Sequence, residues 1–250
     1  SSPVQIPGTT WGTGAYQIAS AYRLGAGVKT DGKLWMWGYN GDGALATNSP
    51  PTEAAGRDRS SPVQVTSATN WSKIWLGGCN FGLKTDGTLH SWGSNYWGVS
   101  GANLGPGGPG WHENTKKMSS PTQIPGTTWA YVSCVDHTAW ATKTDGTLWA
   151  WGRNYAGALG QNTQGDSTAR SSPVQIPGTT WDRVQGLNSA AMATKTDGTL
   201  WAWGYNDYGW LGHNNRTNYS SPTQIPGTTW VTGNNTITNA SSAAAALKSS

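Results

Sequence analysis

Apolar and polar positions along this chain alternate in short runs. In Leu148-Trp149-Ala150-Trp151 successive side chains of an extended strand point to opposite faces, so both indoles share one side and Leu148 and Ala150 the other. Both sides are apolar, which predicts a strand buried on two faces. Related runs begin at Leu34, Leu89 and Leu200. Before each comes an Asp-Gly pair, at Asp31-Gly32, Asp86-Gly87, Asp145-Gly146 and Asp197-Gly198. Asp-Gly between apolar runs predicts a hairpin with a two-residue turn, in which both residues take positive φ. Turn chemistry accounts for these aspartates, so they are not read as acids or metal ligands.

After each indole strand comes Trp-Gly-x-Asn and a turn: Asn40-Gly41-Asp42-Gly43, Asn95-Tyr96-Trp97-Gly98, Asn154-Tyr155-Ala156-Gly157 and Asn206-Asp207-Tyr208-Gly209. A variable loop then leads to Ser-Ser-Pro-Val/Thr-Gln-Ile-Pro-Gly-Thr-Thr-Trp. That phrase starts at Ser1, Ser119, Ser171 and Ser220, with a looser copy at Ser60. Its prolines cannot donate to a ladder, which suits an outer edge strand, and its closing Trp is placed at the start of the next strand. The copies delimit repeats 1–59, 60–118, 119–170, 171–219 and a partial 220–250.

Repeats of about this length predict stacked supersecondary units. The expected fold is all-β: a β-propeller of four-stranded blades, four full repeats and a partial fifth, either one domain or part of a larger ring. In a propeller each sheet is covered by two neighbours, which satisfies the strands with two apolar faces. Trp35, Trp37, Trp92, Trp149, Trp151, Trp201 and Trp203 are expected to pack between blades. Copies one and five are longer between the closing Trp and the turn Lys (Trp11 to Lys29, Trp230 to Lys248), and loops Ala44–Arg59 and Gly98–Met118 break the pattern. Places where equal repeats differ are where specific function is expected.

Composition narrows the function classes. Charged residues make up 11% of the 250 residues and the net charge is +4. Basic residues are scattered, with Lys116-Lys117 the only adjacent pair, so no nucleic-acid-binding tail is expected. No apolar run reaches the length of a membrane span, so no membrane insertion is expected. Cys79 and Cys134 cannot form a zinc site alone and are expected to be unpaired buried thiols, although they lie near equivalent places in adjacent repeats. His90, His112, His137 and His213 are scattered, and only His137 adjoins an Asp, Asp136. No nucleophile–base set or facing carboxylate pair stands out. The turns at Asp42 and Asp166 are weak hints of Ca²⁺ ligation. The chain is therefore expected to be no enzyme and to carry no catalytic residue, cofactor or metal.

What remains is recognition. Trp97, Trp111, Tyr155, Tyr208 and Trp210 fall in loops where rings could meet a partner. The partner is expected to be another protein or a surface glycan, with assembly into a larger structure as a further option. Stacking of these rings on sugars is the alternative to protein binding.

The stretch from Val135 to Gly160 resembles the repeats of the regulator of chromosome condensation family, with His137-Thr138, the Asp145-Gly146 hairpin, Trp151-Gly152-x-Asn154 and Gly157-Ala158-Leu159-Gly160. The resemblance covers the whole chain and implies a propeller, usually of seven blades. Departures are the His-Thr pair, present only in copy three, and Val99-Ser100-Gly101 in place of Ala-Leu-Gly. Because the family includes a nucleotide exchange factor, the resemblance also implies an exchange-factor-like regulator as an alternative. The near-identical, Thr/Asn/Gly-rich copies look like arrays of bacterial or bacteriophage proteins, which implies an extracellular or virion-surface setting.

Overall fold

The computed structural model describes residues 2–48, 58–104, 117–232, 237–240 and 243–247. Blade one comprises β1 (Ile18–Ala21), β2 (Leu24–Val28), β3 (Leu34–Gly38) and β4 (Arg59–Gln64). Blade two comprises β5 (Trp71–Trp75), β6 (Asn80–Lys84), β7 (Leu89–Gly93) and β8 (Met118–Gln123). Blade three comprises β9 (Trp129–Val135), β10 (Thr138–Lys143), β11 (Leu148–Gly152) and β12 (Arg170–Ile176). Blade four comprises β13 (Trp181–Leu187), β14 (Ala190–Lys195), β15 (Leu200–Gly204) and β16 (Tyr219–Ile225). A two-stranded sheet, β17 (Ile237–Ala240) and β18 (Ala243–Ala246), follows. Every four-stranded sheet is an antiparallel meander in chain order. The all-β propeller architecture expected from the repeats is present.

Blades and sequence copies are out of phase. Each copy's Ser-Ser-Pro phrase supplies the fourth strand of the preceding blade, with Pro62, Pro121, Pro173 and Pro222 inside β4, β8, β12 and β16. These are outer strands paired on one side only, where a missing N–H is harmless. The closing Trp then opens the next blade as Trp71, Trp129 and Trp181.

The Asp-Gly hairpins differ from expectation. Only the glycines, Gly32, Gly87, Gly146 and Gly198, have positive φ, and the strands close on a lysine and the residue four further on. The turn is therefore a three-residue loop with glycine in the left-handed position. Each aspartate accepts the N–H two residues on, as in Thr147 to Asp145 at 3.0 Å, which closes the loop. Turn glycines also receive the next blade, because the N–H of Trp71, Trp129, Trp181 and Trp230 donates to the carbonyl of Gly32, Gly87, Gly146 and Gly198.

The indoles divide into two sets. Trp92, Trp151 and Trp203 are fully buried. Each donates its Nε1–H to a carbonyl in the Gly-x-Leu-type loop of the preceding blade: Trp92 to Ala44 at 2.9 Å, Trp151 to Val99 at 2.8 Å and Trp203 to Ala158 at 2.9 Å. These bonds fasten blade to blade. Trp37, in blade one, is only half-buried. Trp35, Trp149 and Trp201 are also half-buried, at the hairpin end. There a lysine ammonium lies over two indoles: Lys143 is 4.6 Å from both Trp129 and Trp149, and Lys195 is 4.6 and 4.5 Å from Trp181 and Trp201. In blade two His90 takes the second indole's place, 5.5 Å from Trp71.

First strands of successive blades run side by side, β1 by β5, β9 by β13, and β13 by β17. Side chains from β5, β9 and β13 converge on Tyr16, just before β1. Trp75 and Tyr131 pack on Tyr16 at 5.4 and 5.6 Å, and the Arg183 guanidinium covers Tyr131 at 3.4 Å and bonds the Tyr16 hydroxyl. Tyr16 reaches this position because the lengthened segment of copy one turns at Gly14–Gln17 before β1. Burial among these groups, with the charge of Arg183, pushes the Lys73 pKa down.

Candidate functional site

One end of the propeller carries the hairpin turns and the Pro-Gly-Thr-Thr linkers. The other carries the β1–β2, β5–β6, β9–β10 and β13–β14 turns and the loops before each fourth strand. This loop end is where the repeats differ. Following the strand glycine, the x of Trp-Gly-x-Asn is Tyr39, Ser94, Arg153 and Tyr205 in blades one to four.

Its scaffold is constant. Asn40, Asn95, Asn154 and Asn206 are buried, and each side-chain oxygen accepts the N–H five residues on, at 2.9–3.0 Å. Asn154 also donates to Thr168 Oγ1 at 2.7 Å and to the Thr163 carbonyl at 3.0 Å. Buried amides tied on both sides hold a loop in one shape, so the side chains beside them are presented at fixed positions.

Among the described residues, clefts open at two places on this end. The first, about 450 Å³, has Arg23, Tyr39, Asn80 and Ser94 among its walls, and shares Asp136 and His137 with the second. The second, about 560 Å³, lies between blades three and four and adds Arg153, Tyr155, Asn188, Ser189 and Tyr205. Arg153 is gripped by Asp166 through Nε at 2.8 Å and Nη2 at 2.9 Å, and lies between the Trp97 and Tyr155 rings at 5.1 and 5.0 Å. The Asp166 hydrogen bond raises the Arg153 pKa. Desolvation lowers that of His137, with Asp136 opposing the shift. A hydrogen bond to Asp207 pushes Tyr205 up to about 12.

The predicted aromatics fare differently. Tyr155 and Tyr208 are exposed, at 43% and 75%, and Tyr205 bridges them with ring centroids at 5.7 and 6.3 Å. Trp97 corrects the expectation of a displayed ring: it is only 7% exposed. Its residue takes φ +58° beside Gly98, which packs on Ser171, and Arg153 covers its ring. Trp210 is half-buried. It holds the sequence position of Ala44, Val99 and Ala158, which accept the next blade's indole, and its own Nε1–H donates to the Tyr205 carbonyl. Trp111 lies outside the described residues, as do Lys116, Glu53, Glu113 and His112. Arg153 and Tyr205 were missed; their signal was the changing x beside an unchanging Asn.

Other candidates are absorbed by local structure. Asp42 pairs with Lys117 at 2.9 Å and Asp166 with Arg153, and among the described residues no cluster of three metal-ligating side chains occurs. Cys79 and Cys134 are free thiols; burial pushes Cys79 well up and Cys134 up to about 12. No helix among the described residues is long and apolar enough to cross a membrane.

Meander blades fastened by indole–carbonyl bonds, with a variable loop end, define a β-propeller of the repeat type. Residues 145–188 and 197–241 match the Regulator of chromosome condensation (RCC1) repeat, and the fold is that of an RCC1-type propeller. The "Protein RCC2 homolog" of Danio rerio is 30% identical over 135 residues, covering 53% of this chain and 25% of that protein. The Ultraviolet-B receptor UVR8 of Arabidopsis thaliana is 29% identical over 189 residues, covering 72% of this chain and 39% of the receptor. The crystal structure of Prp20p from Saccharomyces cerevisiae, described with its binding properties to Gsp1p and histones, superposes with TM-score 0.70 at 17% identity, covering 90% of this chain and 53% of Prp20p. The chain thus spans from a quarter to about half the length of these relatives.

Proposed function

We propose that this chain is a non-catalytic recognition propeller that binds another protein through its loop end. The observation that carries the reading is the contrast at that end: Asn40, Asn95, Asn154 and Asn206 are the same in every blade, while the residue before each varies, tyrosine in blades one and four (Tyr39, Tyr205), serine in blade two (Ser94) and arginine in blade three (Arg153). A fixed frame with variable side chains suits binding, and the clefts it encloses are of ligand-site size. Support for a protein partner comes from the relatives, since Prp20p is described as binding Gsp1p and histones and has been seen with Kap60 bound. Placement on a bacterial or virion surface, and assembly into a larger structure, belong to the same proposal and rest on the polar, Thr- and Asn-rich repeats alone.

The test is site-specific photocrosslinking in cells of the source organism, with the crosslinker at Tyr208 on the loop end or at Asp86 on the hairpin end. The same protein captured repeatedly from Tyr208 and not from Asp86 supports the reading. Capture from Asp86 alone, or equally from both, overturns it.

A further inference from the structure

The cleft between blades three and four has a chemistry that the repeat scaffold does not require. Its walls come from four separate segments: Asp136 and His137 after β9, Arg153 and Tyr155 after β11, Asn188 and Ser189 after β13, and Tyr205 after β15. Its volume, about 560 Å³, falls in the range of small-molecule sites. Tyr155 and Tyr205 are inclined at 46° rather than stacked flat, and Tyr155 is 43% exposed, so ring surface is left for a ligand.

The charges select against an anion. Arg153 is matched by the two oxygens of Asp166. Asp136, exposed on another wall, disfavours an anion. Desolvation lowers the His137 pKa, which keeps its ring neutral at neutral pH. A carboxylate, an amide, a hydroxyl and a neutral imidazole together both donate and accept hydrogen bonds. The exposed Tyr155 ring and the half-buried Tyr205 ring supply flat apolar surface beside them. A neutral ring carrying many hydroxyls on its edge and C–H groups on its face uses both features at once.

We propose that this cleft binds a neutral saccharide, its ring lying against Tyr155 and Tyr205 and its hydroxyls bonded by Asp136 and Asn188. The proposal rests on the loop end being the recognition surface and specifies the chemistry of one site there. The sugar is supplied either by a glycoprotein partner or by a free polysaccharide.

The full chain is applied to an array of neutral, sialylated and sulfated glycans, and hits are titrated calorimetrically as free oligosaccharides at low and high salt. Binding confined to neutral glycans and insensitive to salt is expected. Tyr155→Ala and Tyr205→Ala each weaken it about tenfold, with unchanged circular dichroism. Asp136→Asn, which keeps hydrogen-bonding atoms and removes the charge, retains most of it. Loss of a captured glycoprotein after enzymatic deglycosylation assigns the sugar to that partner; binding to polysaccharide alone assigns it to the polymer. No neutral glycan bound, binding only to sulfated glycans, or affinity unchanged in Tyr155→Ala overturns the proposal. An unglycosylated protein crosslinked from Tyr208 beside a silent array removes the saccharide and leaves the loop-end reading; crosslinking only from Asp86 removes both.

Discussion

Two tryptophans on one face of one strand are expected to respond very differently to truncation. Trp151 is fully buried, its ring centroid is 6.0 Å from Phe81 of the preceding blade, and its Nε1–H bonds the Val99 carbonyl at 2.8 Å. Removing a buried aromatic costs about 3–5 kcal/mol, and the lost hydrogen bond adds about 1 kcal/mol. Trp149 is half-buried and bonds only Thr147 Oγ1 of its own hairpin. Its losses are one edge-to-face contact with Trp129 and one share of the Lys143 ammonium, together about 1–2.5 kcal/mol. Against a typical domain stability of about 5–15 kcal/mol, Trp151→Ala is expected to remove a large part and Trp149→Ala a modest one. Urea unfolding followed by far-ultraviolet circular dichroism, with a shared slope, gives both values. Equal destabilisation, or a larger effect at Trp149, would refute the assignment of blade fastening to Trp151.

Three further outcomes are expected. His90 has its pKa lowered to about 4 from 6.5, chiefly by desolvation, so the unfolded chain binds the proton more readily. Stability is then full above pH 6.5 and falls as the pH drops towards about 4; the fall is smaller in His90→Trp when unfolding midpoints are compared across that window. Asn154→Ala orphans the Leu159 N–H and releases Thr168, a loss of about 2–4 kcal/mol that hydrogen exchange should locate in the β11–β12 loop. Cys79 is buried, whereas Cys134, expected to be buried too, is only half-buried; with both pKa values raised, Cys79 should react with maleimide only after unfolding and Cys134 slowly before it, and rapid labelling of Cys79 in the native state would contradict its placement.

The blade could be read from the sequence because its determinants are local. Alternation in Leu148–Trp151, the Asp-Gly turns and the Pro-bearing outer strand each follow from neighbouring residues. Blade phase was harder to read, since the fourth strand pairs across a long variable loop, as Met118 with Gly93 does. The turn class was missed because Asp-Gly serves equally in a three-residue loop, where aspartate caps rather than takes positive φ. At the site, composition pointed to loop aromatics but could not rank them. Trp97 is covered by an arginine from the next blade, and Trp210 stands where its neighbours fasten blades. Both relations join residues distant in the chain. Arg153 and Tyr205 were within reach, as the one changing position in a motif otherwise read only for its turn.

On the proposed reading the variable side chains at the loop end, not the repeated frame, do the recognising. Blade two carries Ser94 at the variable position, so Tyr39→Ser, Arg153→Ser and Tyr205→Ser combined make the blades alike there. Binding of the crosslinked partner, measured beside the melting curve of the same sample, is the decisive measurement. Binding lost with cooperative melting retained is the predicted result; full binding by the triple variant would contradict the claim.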